Sequence, residues 1–519
     1  MSFINAPEAP GVPASHQLLV YRDGQPTKPR TYHVVSRMGP SHNLGVFNNS
    51  VSSVERALLE RYFLCDVNGV FERALPVRAD AFDTPSLRVF RNRVVSIVRP
   101  DAPVLTLRQV VACYTGGKRK VYEAALESLY RYELERKDAN LRPFTKFEKQ
   151  DLGKACRIIN PRSPRYTLTL GKYLKKAEHL YFEAINGVWG GYTTHTVLKG
   201  VDVVQAAAVM RKKWERFNTP VAIGLDAKKF DMHVSIPALQ YEHSFYNKVF
   251  RSAELRKLLG WQLINKGKAY CPDGQVEFRM PGTRSSGDLN TSLGNCIIMC
   301  SLIWAMCREL GVQAELCNNG DDCVLILEKA DEPRIMDNVA GWFRRYGFRM
   351  EVEEPVYEFE HIEFCQSSPC WDGRTWRMVR NPRTCLKKDP MCLIPIANEK
   401  AFRKWMGAVG ECGMTLVPGI PVMREFYGAF KRHGLRASRK MKEHVFRTTS
   451  MMSRLGELDG DWEPTPESRA SFALMTGITP DYQLALEHYF RTLSVVTDEF
   501  SAGGDGRCEV YPPPFLEHL

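Results

Sequence analysis

Apolar residues recur at three- and four-residue spacing in SVERALLERYFL (53–64), KVYEAALESLYRYELERK (120–137) and LGKYLKKAEHLYFEAI (170–185). That period predicts amphipathic helices. The middle of the chain is patterned differently. PVAIGLD (220–226), AELCN (314–318) and DCVLILE (322–328) are short apolar runs bounded by turn formers, and they predict strands. The last two flank an Asn-Gly pair, a strong tight-turn signal, so they predict a hairpin with Asp321 and Asp322 at the turn and the start of the returning strand. Between these strands, TRSSGDLNTSLGNCIIMCSLIW (283–304) reads as a small-residue loop leading into an apolar helix. Its apolar run, 296–307, falls short of the roughly 20 residues a bilayer span needs and suits a buried helix. Residues 1 to about 30 are rich in Pro, Gly and small polar residues and predict a mobile lead or an arm draped over the body. The tail from 501 reads likewise. Helices and strands together predict an α/β (α+β) fold, one folded unit with lobes rather than a string of modules.

Composition narrows the setting. With 519 residues, 44% of them hydrophobic, the chain can bury a large core. The fifteen cysteines are odd in number, scattered and without a C-x-x-C pair, which supports neither a disulfide framework nor a zinc ribbon. A reducing, intracellular setting is expected. No signal peptide or membrane span is read, so attachment to a membrane is expected to need a partner or an upstream region. The net charge of +12 predicts an anionic partner. Most of it sits between Lys118 and Lys176, with sixteen Lys/Arg against seven Asp/Glu, and Lys154 to Lys176 holds seven basic residues and no acid.

Adjacent carboxylates repel unless a cation relieves them. Oxygen ligands suit magnesium or manganese, and two aspartates from one turn require a third carboxylate from elsewhere. VAIGLDAKKFDMHVS (221–235) offers Asp226 at a strand end and Asp231 five residues on. Each segment alone also fits a plainer account: a solvated turn for Asp321–Asp322, a helix cap for Asp226. In the loop, Ser286 and Gly287 form the turn. Thr291 and Asn295 share a face of a helix otherwise built for burial and are expected to face a ligand.

Asp-x4-Asp, then Ser-Gly-x3-Thr-x3-Asn, then Gly-Asp-Asp resemble motifs A, B and C of viral RNA-directed RNA polymerases. NNGDDC, SGDLNTSLGN, RIINPRSPRY, HIEFCQSSP and LGVFNNSVSSVERALLERYF are similar to polymerases of the tombusvirus and umbravirus group of plus-strand RNA viruses, over residues 44 to about 390.

The resemblance implies a right-hand architecture: an N-terminal arm over 1–43, fingers over 44–216, a palm with an antiparallel sheet over 217–385 with a fingers insertion at 250–282, and a helical thumb with the tail over 386–519. It implies RNA synthesis from nucleoside triphosphates on a single-stranded RNA template, giving a product duplex and no DNA, in the host cytoplasm at membrane-associated replication sites. Two magnesium or manganese ions would be held by Asp226, Asp321 and Asp322, with the Ala227 carbonyl completing a shell. Asp231, Thr291 and Asn295 would read the ribose, with Ser286 and Gly287 at the same nucleotide. Lys154, Arg157, Arg162 and Arg165 would clamp the triphosphate on a ribbon kept extended by Pro161 and Pro164, and Thr115, Gly116 and Lys118 would guide the template. A solvated basic face and a glycine turn before a basic helix are the simpler accounts of those two segments. A reverse transcriptase or an inactive RNA-binding relative are the alternatives. One departure stands out: where relatives carry a lysine at the end of motif D, this chain reads RMEVEE, which leaves the general acid unassigned, with Arg349 and Lys329 as substitutes. Cys365 and Cys370 read as packed thiols, and His233 as a local hydrogen bonder.

Overall fold

The computed structural model describes residues 4–5, 15–40, 42–190, 194–448, 460–501 and 516. At its centre is a four-stranded antiparallel sheet in the order Ala314–Asn319, Asp322–Glu328, Pro220–Ala227, Met350–Val352. The first three match the strands expected from the apolar runs to within a residue. Side chains alternate across a strand, and here both faces are covered. Val221, Ile223, Leu225, Leu325 and Leu327 pack into the core shared with the helices Ile236–Phe250 and Thr291–Leu310. Ala222, Val324 and Ile326 pack on the opposite side with Met210 and Trp214 of the helix Val203–Trp214. By this alternation Asp226 and Asp322 fall on the second face.

The apolar helix runs over Thr291–Leu310, longer than its apolar run alone. By length and composition it could cross a membrane, but 78% of its most apolar window is buried inside the fold. Its all-round apolar character is that of a core helix.

Other expected helices are displaced. The helix expected over 120–137 forms over Gly116–Arg131 and stops where Tyr132 turns extended. There the Arg165 guanidinium donates to the carbonyls of Tyr132 (3.0 Å) and Glu133 (2.7 Å), satisfying acceptors that a further helical turn would otherwise use. The single helix expected over 170–185 is two, Pro164–Leu174 and Glu178–Gly190. The helix Val51–Leu58 passes into a wider π-helical turn, Leu59–Phe63, whose Glu60 carbonyl accepts from the Lys229 ammonium.

The N-terminal lead is an integral part of the fold over 17–36. Gln17–Arg22 pairs with Gly274–Pro281, and Thr31–Ser36 lies between Met391–Cys392 and Val496–Ser501. Leu18, Val20, Tyr32 and Val34 are buried. The expected mobility of the first residues and of the tail falls largely on 1–3, 6–14, 502–515 and 517–519, outside the described residues. The C-terminal part is helical, with Glu399–Met414, Met423–His433, Pro466–Thr476 and Pro480–Thr492 around Trp405, Phe426, Phe430 and Phe490.

Candidate active site

Gly320 and Asp321 form the two-residue turn of the hairpin, because Asn319 pairs with Asp322. Gly320 takes φ +80° at the first central position, which suits glycine in a type II′ turn. The next strand sets the acids in a row: Asp226 pairs with Asp322 on one side and with Glu351 on the other. Directly paired residues share a face, so three carboxylates stand side by side across three strands. Glu353, two residues further, lies over Gly224, where a Cβ would come within 1.9 Å of its carboxylate.

Such a row is electrostatically unfavourable. Burial, then Asp321 and Glu351, raises the Asp226 pKa. Asp322 is pushed up to about 6 by burial and by Asp321 and Asp226, against the Cys365 N–H that donates to it at 2.8 Å. Glu353 is raised by burial, Glu363, Asp322 and Asp226. The donors are all hard carboxylate oxygens in mutual repulsion, the chemistry that fits a divalent cation such as magnesium. Among the described residues no group of three or more His, Cys, Asp and Glu side chains is already gathered to hold an ion. The acids are neighbours along the lip of the sheet, not a closed cage.

Glu351, Glu353 and Lys228, whose ammonium is 3.0 Å from Glu351, were not singled out from sequence. Nor was the turn that steadies Asp322. Cys365 and Gln366 both have positive φ, +52° and +58°, between Phe364 and Ser367, which exchange backbone hydrogen bonds. The period-2 register makes Glu351 findable only once its pairing to Asp226 is known. The Cys-Gln turn carries no glycine or asparagine to mark it. Cys370 is packed as expected, whereas Cys365 is exposed, with its sulfur 3.1 Å from the Asn319 amide nitrogen.

Asp231 sits in the short helix Phe230–His233, entered through a left-handed Lys229. Burial first, and then Asp321, pushes its carboxyl up to about 7, opposed by Arg284 and by a hydrogen bond from Asn295. Asp231 and Asn295 are thus brought together. Thr291 instead donates to the Ser285 carbonyl at 2.6 Å, so its hydroxyl is engaged by the loop. Ser286 donates to the Ile158 carbonyl (3.2 Å) and Ser285 to that of Asn160 (2.6 Å), pinning the loop under the basic segment. Gly287 is required there, since a Cβ would lie 2.5 Å from the Asn160 oxygen.

The basic segment divides. Lys154 and Arg157 are exposed and line a cavity of about 550 Å³ with Lys149, Asn319 and Cys365. Arg162 is buried and spends its guanidinium on Asp288 (2.5 and 3.0 Å), Asn265 (2.7 Å) and the Ala139 carbonyl (2.5 Å). Arg165 is likewise bound, to Asp138 (3.1 Å) and Ser128 (2.6 Å) besides the two carbonyls already named. The acids missing from the local sequence come from elsewhere in the fold. The expected extended ribbon also ends early: Pro164 opens the helix Pro164–Leu174 with Ser163 as its cap, which puts Arg165 on a helix.

Thr115 caps the helix Gly116–Arg131 without a side-chain hydrogen bond. Gly116 has φ +60°, and both residues are exposed. Lys118 and Lys175 lie over the Tyr114 ring at 5.3 and 4.7 Å. His233 is a local hydrogen bonder, between the Lys229 carbonyl (3.1 Å) and Arg349 (2.9 Å), with its pKa lowered by burial to about 4. The two candidate general acids, Arg349 and Lys329, both have partners of their own. Arg349 is held by Glu72 (2.6 Å) and the Arg73 carbonyl (3.1 Å), and Lys329 lies beyond the far end of the Asp322 strand, roughly 20 Å along it, over the Tyr357 ring.

A family model described as viral RNA dependent RNA polymerase matches residues 18–498. Similar proteins are the RNA-directed RNA polymerases of Tobacco necrosis virus (strain A), 41% identical over 494 residues, of Turnip crinkle virus, 39% over 509, and of Tomato bushy stunt virus (strain Cherry), 39% over 477. These alignments cover 93%, 96% and 91% of this chain and 66%, 63% and 57% of the respective relatives, so the chain spans less than two thirds of their length.

Proposed function

The chain belongs to the viral RNA-dependent RNA polymerase family, and from that premise we propose that it copies single-stranded viral RNA into a product duplex from nucleoside triphosphates. The observation that carries this reading is the row of carboxylates at the lip of the central sheet, with Asp321 at the adjoining turn.

On this reading Asp226, Asp321 and Asp322 hold two magnesium or manganese ions, with Ala227 offering its carbonyl. Bound there, such ions would supply charge neutralisation for the triphosphate and activation for the attacking hydroxyl. The chain's residues do the rest. The Cys365 N–H keeps one oxygen of Asp322 oriented. Lys154 and Arg157 receive the triphosphate from the cavity they line. Arg162 and Arg165 brace that segment from behind instead of touching phosphate. Asp231 and Asn295 hydrogen-bond the ribose, leaving polar groups unpaired when the 2′-hydroxyl is missing. Thr291, Ser286 and Gly287 fix the loop beneath the nucleotide, and Thr115, Gly116 and Lys118 meet the template backbone.

The lobes then correspond to fingers (44–216), palm (217–385) and thumb (386–519), with the strand Gln17–Arg22 of the N-terminal arm built into the 250–282 insertion. The chain would act in the host cytoplasm, with a membrane-anchoring partner. Incorporation of labelled nucleotide on a defined RNA, compared with Asp321→Asn, tests the proposal. Incorporation that survives Asp321→Asn would remove the carboxylate assignment.

A further inference from the structure

We propose that Arg284, anchored by Glu242, fixes the orientation of the Asn295 amide and thereby sets how strongly the site prefers ribose over deoxyribose. This rests on the nucleotide reading of Asp231 and Asn295 given above. Arg284 is 1% exposed, at the end of a loop in which Thr283 has φ +72°. Its backbone N–H donates to the Asp231 carbonyl at 2.8 Å, its Nε to Asn295 Oδ1 at 2.9 Å and its Nη2 to Glu242 Oε2 at 2.6 Å. One residue therefore touches both members of the ribose pair from behind.

The chemistry of arginine makes this contact directional. A guanidinium has five donors and no acceptor, so the amide atom that meets it must be the oxygen. That leaves the Asn295 nitrogen, the donor end of the amide, for the Asp231 side, where Asn295 works against the rise that burial imposes on the Asp231 carboxyl. With Arg284 in place, a sugar meets an acceptor on Asp231 and a donor on Asn295. Without it, the amide is free to turn over, and an oxygen set against Asp231 repels it.

Glu242 makes the arrangement rigid. It is fully buried on the helix Ile236–Phe250 and also accepts from Tyr246 (2.8 Å) and Asn290 (2.7 Å); Asn290 in turn contacts Gln262 (2.9 Å). Gly294 gives the ion pair room to cross the helix Thr291–Leu310, because a Cβ there would lie 2.3 Å from Arg284 Nη2 and 2.4 Å from Glu242 Oε1. A buried ion pair is poor evidence for stability, since apolar replacements of similar volume are often no worse. Among the described residues Arg284 Nη1 has no hydrogen-bond partner, a further cost to the fold. Holding the amide is the role that the geometry offers in return.

The test compares Arg284→Lys, which keeps the charge but loses the fork, with Glu242→Gln, which keeps an acceptor for Arg284 but loses the charge. Two quantities are read: the ratio of kcat/KM for ATP over dATP on a defined RNA, and the equilibrium binding preference for ATP over dATP without turnover. Arg284→Lys is expected to lower the kcat/KM ratio at least tenfold, on the order of what one well-placed polar contact supplies. The effect should fall on KM more than on kcat, and Glu242→Gln should cause a smaller fall. In an Asn295→Ala background, Arg284→Lys should change the ratio no further. An unchanged ratio in a folded Arg284→Lys or Glu242→Gln protein would overturn the proposal, as would effects that simply add to that of Asn295→Ala. If the unmutated chain incorporates nothing, the activity reading fails, and the binding preference alone decides the role of Arg284. If Arg284→Lys does not fold, Glu242→Gln decides it.

Discussion

Asp226 and Asp322 stand directly opposite each other in the antiparallel pairing of their strands, with both side chains on one face of the sheet. Facing positions bring Cβ atoms within about 5 Å. Two full charges at that distance repel by roughly 3 kcal/mol at an effective dielectric of about 20. The fold tolerates this, and Glu351 adds to it from the other side.

That repulsion predicts coupling between magnesium and protons. Burial first, and then the neighbouring aspartates, pushes Asp322 up to about 6 and Asp231 up to about 7, above the usual aspartate range. Between the unfolded and folded pKa values the folded state binds more protons, so these groups cost stability increasingly as pH rises from about 4 to about 7. Magnesium should relieve the cost where the carboxylates are charged. The gain in Tm on adding magnesium is therefore expected to be larger near pH 7.5 than near pH 6, and Asp322→Asn should flatten the difference. Equal gains at both pH values would contradict this.

The two halves of the basic segment should separate in mutagenesis. Arg162→Ala strands Asp288 in a buried site and is expected to cost about 3–5 kcal/mol in denaturant unfolding. Arg157 is largely exposed, with Glu148 at 3.4 Å, so Arg157→Ala should change stability by less than about 1 kcal/mol while raising KM for nucleotides several-fold. Unfolding curves and initial rates on the two proteins check this.

The turn beside Asp322 gives a third prediction. Cys365 and Gln366 each adopt a left-handed conformation that costs an ordinary residue about 1–2 kcal/mol. Gln366→Gly should raise stability by about 1 kcal/mol and leave the Cys365 N–H on Asp322. Gln366→Pro, whose ring forbids positive φ, should reduce both stability and synthesis. Thermal unfolding beside incorporation assays distinguishes the cases.

Gly287→Ala should distort the loop pinned under Asn160, lowering nucleotide incorporation more than Ser286→Ala, which removes one 3.2 Å hydrogen bond. Comparable losses in the two variants would mean that the close approach is unimportant.

The sheet and its hairpin were legible in the sequence because their apolar runs and the Asn-Gly signal are local. Glu351 and Glu353 were not, because only pairing to a distant strand gives them a place beside Asp226. Arg162 and Arg165 read as free cations for the same reason: their partners Asp288 and Asp138 lie in other segments. The lead over 17–36 was obscured by its prolines and glycines, although QLLVYR alternates buried and exposed positions along its first five residues as an ordinary strand does.

The most direct measurement is incorporation of labelled UTP by the purified chain on a defined single-stranded RNA with magnesium, beside Asp321→Asn. Template-length product from the unmutated chain alone, with RNA binding retained in both, is the expected result. Equal synthesis by the two proteins would contradict the assignment of the carboxylates.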